Sequence, residues 1–117
     1  MKTGSSFVRA EPAGKAVHLT ILTAQIGDRE AQIITGEIEQ AAGPAGWRVA
    51  IDMSQVTFLA SAGLGVLVSA HNTAKQSKGK LAVYNIAPSL LEMLKLTHLD
   101  KLFVIKPDQA SALKAVS

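Results

Sequence analysis

The spacing of hydrophobic positions along this chain changes between the period of a β-strand and that of an α-helix, and each change marks a new predicted element. Val17, Leu19 and Ile21 are separated by single polar residues, which is the period of a β-strand. Residues 7–10 also have strand character, and residues 11–14 (Glu-Pro-Ala-Gly) have the chemistry of a turn. The N-terminal part of the chain therefore predicts a β-hairpin.

A helical period follows the hairpin. Ile34 and Ile38 recur at helical spacing, and Asp28 is placed to act as the N-cap of this helix. The Ala-Gly-Pro-Ala-Gly stretch at residues 42–46 combines strong helix breakers, so the first predicted helix ends there.

The middle of the chain predicts a buried strand followed by a buried helix. Residues 48–53 lack alternation and favour a strand buried on both faces, as in the centre of a parallel sheet. Residues 62–76 form too long a run for a typical strand and predict a helix, which Gly79 is placed to terminate. The first turns of this helix are apolar nearly all round, which indicates deep burial.

Strands and helices continue to alternate toward the C-terminus, with Leu91 and Leu94 as predicted core positions. The remaining elements are a strand at 80–84, a helix beginning at a capping box of Ser89 and Glu92, a strand at 103–105, and a helix capped by Asp108 and ending at Val116. Alternation of this kind predicts right-handed crossovers and a mostly parallel sheet. We therefore predict one α/β domain over residues 7–117, with residues 1–6 disordered.

Composition excludes several classes of protein. At 117 residues and 48% apolar content, the chain is long enough to bury one core. It has no cysteine, which excludes disulfides, thiolate metal sites and thiol nucleophiles. The absence of cysteine is also compatible with a reducing cytoplasm. No apolar run is long enough to span a membrane, and the N-terminus lacks the apolar core of a signal peptide. The expected location is the cytoplasm.

The formal net charge of +3 is unevenly distributed. Residues 1–52 contain five basic and six acidic side chains, whereas residues 53–117 contain seven basic and three acidic ones. The lysines are scattered along the sequence without interleaved aromatic residues, so a solvated lysine-bearing face is favoured over nucleic-acid binding.

Patterns of catalytic and cofactor sites are missing or incomplete. The three histidines are far apart in sequence and form no metal-binding pair, so no metal site is predicted. Gly63-Leu64-Gly65 lacks the third glycine of a dinucleotide fingerprint, because Val68 occupies its place. The nucleophile elbow of hydrolases fails as well, because Leu59 stands two residues before Ser61. We predict a protein without catalytic residues or cofactor.

Ser61 is the polar residue that needs an explanation, since it lies in an apolar stretch where a helix is about to begin. One interpretation is an N-cap, whose oxygen accepts a backbone hydrogen bond. Another is phosphorylation, because the positive end of a helix tolerates an added dianion. The residues alone leave both interpretations open.

Residues 48–105 resemble the STAS domain of bacterial anti-sigma factor antagonists. The matching motifs are Asp52-Met53-Ser54, Val56-Thr57-Phe58, Ser61-Ala62-Gly63-Leu64-Gly65, Gly79-Lys80, Asn85-Ile86-Ala87-Pro88 and the run from Leu96 to Phe103. The resemblance implies a small mixed sheet of about five strands with about four helices, packed mainly on one side.

The resemblance also implies a mechanism. Family members bind an anti-sigma factor that is a serine kinase, which frees a sigma factor. The kinase phosphorylates the serine at the position of Ser61 and the complex dissociates, and a serine phosphatase restores the antagonist. The partner-binding residues implied for this chain are Thr57, Ala60, Ser61, Ala62, Gly63 and Leu64. Neither direct nucleic-acid binding nor membrane insertion is expected, and the oligomeric state is left open.

Two departures from the family pattern affect the partner surface. Ala60 replaces the acid that usually precedes the serine, and residues 23–26 (Thr-Ala-Gln-Ile) replace an acidic segment that usually lies beside it. Two alternatives remain. The chain is a STAS-type scaffold or transporter-associated subunit in which Ser61 only caps the helix, or it is a small nucleotide-binding or hydrolytic enzyme built on the same loop.

Overall fold

The computed structural model describes residues 7–116, so the predicted disorder of residues 1–6 lies outside the described residues. In chain order the elements are β1 (Val8–Ala13), β2 (Ala16–Ile21), β3 (Gln25–Ile26), α1 (Asp28–Ala42), β4 (Arg48–Asp52), β5 (Phe58–Leu59), α2 (Ser61–Gln76), β6 (Lys80–Tyr84), α3 (Pro88–Leu96), β7 (Val104–Lys106) and α4 (Gln109–Val116). Short 3₁₀ turns occupy Gly43–Ala45 and Leu99–Lys101.

The main sheet has five strands in the order β1-β2-β4-β6-β7. β1 is antiparallel to β2, and all other neighbours are parallel. The short strands β3 and β5 form a separate two-stranded parallel ladder. The structure thus confirms the predicted α/β fold with a mixed, mostly parallel sheet.

Both faces of the central strands are buried, and different helices cover them. Leu19, Ile51 and Val83 point toward the main core, which α1, α2 and α3 complete. The opposite face carries Ala50 and Ala82, and α4 is the helix of the described residues that covers it. Three helices on one face and one on the other confirm the expectation that the helices pack mainly on one side.

The first hairpin differs from the prediction in where it turns. β1 continues through Pro12, which pairs with Val17, and the chain reverses at Gly14 and Lys15. Proline is tolerated there because β1 is an edge strand. Gly14 has a φ of 65°, in the left-handed region, and supplies the turn that residues 11–14 were predicted to form.

Three of the four predicted N-caps are wrong by one or two residues. Gly27, Ala60 and Ala87 occupy the N-cap positions, so Asp28, Ser61 and Ser89 lie inside their helices. The fourth is confirmed, because the Asp108 carboxylate accepts a hydrogen bond of 2.8 Å from the Ser111 amide.

The physical reasons for these shifts are local. In α1, Oε1 of Glu30 accepts a hydrogen bond of 2.9 Å from the Gly27 amide. In α3, Pro88 fixes the first helical φ, which displaces the predicted capping box. Because α3 starts earlier, Leu90 joins Leu94 in the core and Leu91 is only half-buried.

The end of α2 is confirmed, but Gly79 does not adopt the left-handed conformation. Lys78 does, with a φ of 62°, and the Gly79 amide donates to the Ala74 carbonyl at 2.8 Å. Gly79 is required for a different reason: a Cβ at this position would lie 2.2 Å from the Trp47 carbonyl oxygen. In the turn between α2 and β6, the backbone of Gly79 therefore packs directly against the backbone of Trp47, just before β4.

We expect Gly79→Ala to lower the free energy of unfolding by about 2 kcal/mol, because the clash is with a rigid backbone. Gly36→Ala is the matched control: it is an exposed position inside α1 and its Cβ would meet nothing within 4 Å, so stability should rise by about 0.5–1 kcal/mol. Urea unfolding followed by the fluorescence of Trp47, the single tryptophan, measures both. Equal effects of the two substitutions would contradict this account.

Candidate functional site

The chain leaving β4 is held against the segment that follows β2. The Thr57 amide donates to the Ala24 carbonyl at 2.8 Å, and the Thr57 hydroxyl donates to the same oxygen at 3.1 Å. The Ala60 amide donates to the Ile26 carbonyl at 3.1 Å. These bonds extend the β3–β5 ladder to the residue before Ser61 and fix the start of α2.

Gly63 allows the first turn of α2 to approach this ladder. A Cβ at this position would lie 2.9 Å from the Ile26 carbonyl oxygen and 3.0 Å from the Leu59 side chain. At Gly65, by contrast, a Cβ would meet nothing within 4 Å. The two glycines of the Gly-Leu-Gly motif therefore have different roles, and only the first is required by packing.

Ser61 is the first residue of α2, and its side chain is exposed. The predicted N-cap role is wrong, because Ala60 occupies the N-cap and the helix has no side-chain cap. Within residues 7–116 the Ser61 hydroxyl has no recorded hydrogen-bond partner. It is therefore accessible to another protein and is not required to cap the helix.

The electrostatic surroundings of Ser61 favour an anion. The first turn of a helix has unpaired amides and the positive end of the helix dipole. The first turn of α2 contains no acidic side chain, and the N-cap residue is Ala60. A phosphate on Ser61 would meet helix amides without a neighbouring carboxylate in that turn to repel it.

The predicted partner-binding residues differ in accessibility. Thr57 and Ser61 are exposed, and Ala60, Ala62 and Leu64 are half-buried. Gly63 is buried between β3 and β5, so the prediction that it contacts a partner is not supported by its position.

Phe58 is the surface residue that the sequence prediction omitted. Its side chain is 55% exposed, although it lies in an apolar stretch that favours burial. It borders a shallow depression lined by Thr23, Ala24, Gln25, Gly27 and Glu30. The only signal in the sequence was its place beside the predicted contact Thr57. We call the exposed residues Thr57, Phe58 and Ser61 with the half-buried Ala62 and Leu64 the Ser61 surface.

The end of β4 is fixed by a polar cluster on the α4 side of the sheet. The Asp52 carboxylate accepts the Ser54 amide at 2.8 Å and the Asn85 side-chain amide at 3.3 Å. Burial acts to raise the pKa of Asp52, but the hydrogen bonds from Ser54 and Asn85 and the nearby His18 outweigh it, and the pKa is lowered.

Tyr84 connects Asp52 to the interior of this cluster. Burial, the negative charge of Asp52 and a hydrogen bond to its carboxylate raise the pKa of Tyr84 to about 12. The Tyr84 hydroxyl also contacts Nε2 of His18, whose Nδ1 lies 3.7 Å from the Glu11 carboxylate. His18 and Tyr84 are both buried, so they stabilise the sheet and are not placed to contact a substrate.

The described part of the chain lacks the side-chain clusters of a metal site and the long apolar helices of a membrane span. Residues 7–116 contain no group of three or more histidine, aspartate or glutamate side chains able to hold a metal ion. None of the helices in this range is both long and apolar enough to cross a membrane.

Comparison with known proteins identifies the family. The family model for the STAS domain matches residues 24–112, which include every element from β3 to the first half of α4. The chain belongs to the STAS domain family. This match confirms the family that the sequence motifs indicated.

Individual relatives are similar in sequence over part of the chain and in fold over most of it. An anti-sigma-B factor antagonist of Listeria monocytogenes is 30% identical over 56 residues, which are 48% of this chain and 49% of that protein. The chain thus matches about half the length of this relative. An anti-sigma factor antagonist of Mycobacterium paratuberculosis has a TM-score of 0.80 at 26% identity, covering 93% of this chain and 92% of that one.

A third solved structure shares the fold. The phosphorylated form of the Bacillus cell fate determinant SpoIIAA has a TM-score of 0.69 at 14% identity, covering 92% of this chain and 97% of that one. At this identity the similarity concerns the fold alone.

The glycine pair of the motif provides a test of how the site is built. We expect Gly63→Ala to lower the free energy of unfolding by about 2 kcal/mol, because its Cβ collides with the Ile26 backbone. Gly65→Ala should raise it by about 0.5–1 kcal/mol, since the position is helical and open. Urea unfolding measures both, and hydrogen exchange of the Ala60 amide should accelerate in Gly63→Ala alone. A neutral Gly63→Ala would refute the close-approach argument.

The ionisation of Tyr84 provides a second test, because it is the only tyrosine of the chain. The phenolate absorbance of the folded protein should titrate near pH 12, against 10.0 for a free tyrosine. The neutral phenol is favoured in the folded state, so this contribution to stability is complete below pH 10 and is lost as the pH rises toward 12.

Asp52→Asn should move this titration to lower pH, since the substitution removes the negative charge that disfavours the phenolate. The midpoint should stay above 10.0, because burial is the largest cause of the shift. Asp28→Asn, at the exposed start of α1, is the control and should leave the titration unchanged. An equal shift in both variants would show that Asp52 has no specific effect.

Proposed function

We propose that this STAS domain is an anti-sigma factor antagonist. In this proposal it binds an anti-sigma factor that is also a serine kinase and thereby frees a sigma factor. Phosphorylation of Ser61 ends the binding, and a serine phosphatase reverses it. The observation that carries the proposal is the exposed Ser61 hydroxyl at the first position of α2, where it is not used as a cap.

Phosphorylation at this position would alter binding without unfolding the domain. A phosphoserine carries a charge of about −1.5 to −2 at neutral pH. The free amides and the dipole of α2 stabilise such a charge, so the fold tolerates it. The other side chains of the Ser61 surface are uncharged, and Phe58, Ala62 and Leu64 among them are apolar. A partner that packs on these groups would have to bury a dianion, which is strongly unfavourable.

Because position 60 is an alanine, any negative charge at the start of α2 comes from the phosphate alone. An acid at the N-cap would already make the unmodified surface negative and would repel the phosphate. With Ala60 the unmodified start of α2 has no negative side chain, so modification takes it from uncharged to strongly negative. We propose that the kinase partner of this chain recognises a serine preceded by a small apolar residue.

The remaining parts of the proposal follow from the same assignment. The domain acts by binding and contributes no catalytic group, and it works in the cytoplasm, where ATP and the kinase are present. The scaffold alternative gave Ser61 only the role of an N-cap. Since Ala60 holds that position, this alternative no longer accounts for the serine.

The test uses the chain with its kinase partner and ATP. Intact-mass and fragment mass spectrometry should find one phosphate on Ser61 and none on Ser61→Ala. Ser61→Asp should weaken kinase binding about tenfold or more, because a charge is buried in the interface. Ser69→Asp, an exposed serine two turns along α2, is the matched control and should bind like wild type.

Each outcome of this experiment distinguishes between the proposals. Binding of the kinase that Ser61→Asp leaves unchanged would refute the switch while retaining the antagonist. Failure to bind any anti-sigma kinase, with the fold intact by circular dichroism, would refute the proposed function. Phosphate on Ser89 or Ser69 in place of Ser61 would assign the switch to another site.

A further inference from the structure

The topology separates charge between the two ends of the sheet. The four parallel strands begin at one end of the sheet, and the helices end there. We call this the entry end, and it comprises residues 13–16, 42–48, 75–80, 95–104 and 114–116. The opposite exit end, at Ser61, comprises residues 7–9, 21–30, 52–62, 84–92 and 106–110. The entry end holds eight basic side chains and one acidic, whereas the exit end holds three basic and five acidic.

The lysines that are scattered in the sequence are therefore collected on one surface. The basic residues of the entry end are Lys15, Arg48, Lys75, Lys78, Lys80, Lys95, Lys101 and Lys114, and all except the half-buried Arg48 are exposed. Within the described residues, none of the first seven of these side chains forms an ion pair with a carboxylate. The lysine-bearing face that was expected from the sequence thus lies at the entry end.

Helix dipoles explain only part of this accumulation. Lys75, Lys95 and Lys114 lie in the last turns of α2, α3 and α4, where a cation is favourable in any protein. The other five basic residues lie outside the four α-helices, in turns and at strand starts, and Lys15, Arg48 and Lys80 are not in the last turn of any helix. This surplus requires another explanation, and an anionic partner supplies one.

The same end exposes large apolar side chains among the lysines. Leu96 is 79% exposed, and Leu102 and Val104 are 37% and 39% exposed. Leu96 directly follows Lys95 at the end of α3, and Leu102 directly follows Lys101 after the 3₁₀ turn. Exposure of a leucine or valine side chain to water is unfavourable, and its transfer into an apolar phase is favourable.

We propose that the entry end binds peripherally to an anionic lipid surface, with Leu96 entering the interface and the lysines contacting the headgroups. Lysine-rich surfaces with an apolar side chain fit a bilayer, which offers diffuse negative charge above hydrocarbon. Seven of the eight basic residues are lysine rather than arginine, and arginine is the residue suited to bidentate pairing with an acidic protein segment.

The aromatic residues of the entry end argue against nucleic acid. Trp47 and Phe103 are both buried, with 8% and 5% exposure, so neither offers a ring for base stacking. The apolar groups that are exposed are aliphatic. An aliphatic side chain flanked by lysines is the chemistry of an interfacial lipid contact and not of base recognition.

This attachment would leave the proposed switch accessible. Ser61 begins α2 and the lysines lie where α2 ends and beyond, so the two surfaces are at opposite ends of the same helix. A domain held by its entry end presents Ser61 away from the membrane. The inference therefore does not depend on phosphorylation and is tested separately.

Co-sedimentation of the chain with vesicles tests the proposal. Wild type should bind vesicles of equal parts phosphatidylglycerol and phosphatidylcholine, should not bind phosphatidylcholine alone, and should dissociate as salt is added. The triple variant Lys78→Glu, Lys80→Glu and Lys101→Glu should bind about tenfold or more weakly. Leu96→Ser should bind several-fold more weakly at unchanged net charge.

The matched control makes the same change of charge at the exit end, in the triple variant Arg9→Glu, Arg29→Glu and Lys106→Glu. It should bind within about twofold of wild type, because these residues face away from the bilayer. Equal loss in both triple variants would reduce the effect to net charge and overturn the proposal. Urea unfolding of each variant verifies that the fold is retained.

Two further outcomes would also overturn it. One is the absence of binding to the anionic vesicles at low salt by a folded wild-type chain. The other is tighter binding to a duplex DNA fragment or to a polyglutamate peptide than to the vesicles, with loss in the entry-end triple variant. Those results would assign the same surface to a nucleic acid or an acidic protein.

Discussion

The contact between the first turn of α2 and the Ile26 backbone is the constraint on which the rest of the site depends. Gly63 must lack a side chain for the helix to lie there, and the Ala60 amide must reach the Ile26 carbonyl. With both conditions met, the helix starts one residue earlier than its serine would suggest. Ser61 consequently becomes the first helical residue with its hydroxyl in solvent, instead of a cap turned toward its own backbone.

The fold could be predicted wherever an apolar pattern extended over several residues. Strand β2 and helix α1 follow from the spacing of their apolar residues, because burial on one face imposes a period. Strand β4 and helix α2 follow from continuous apolar runs, whose lengths distinguish a strand from a helix. The two-residue strands β3 and β5 are too short to have a period and depend on pairing between distant segments. The observed starts of α1 and α3 also differ from the predicted ones. Local contacts determine them: the hydrogen bond from the Gly27 amide to the Glu30 carboxylate in α1, and the ring of Pro88 in α3.

The site was predictable to a smaller extent. The motif located Ser61 at a helix start, and the structure adds that it is exposed. Phe58 was missed because an aromatic residue in an apolar stretch normally indicates core, and only tertiary structure shows that it faces outward. Gly63 was assigned to the partner surface although its role is packing. The gathering of the lysines follows from strand order, which spacing along the sequence does not reveal.

The alternation of strand and helix that builds this domain also separates its two surfaces. Each crossover places a helix start at the exit end and a helix finish at the entry end, so anions are favoured at one and cations at the other. A phosphate on Ser61 would add negative charge to the end that already holds five acids. It would thereby increase the charge asymmetry of the domain. On an anionic surface this asymmetry favours the orientation in which Ser61 faces away. A phosphate on Ser61 would lie at the far end of α2, beyond the reach of the headgroup charges, so it would leave the lysine contacts nearly unchanged.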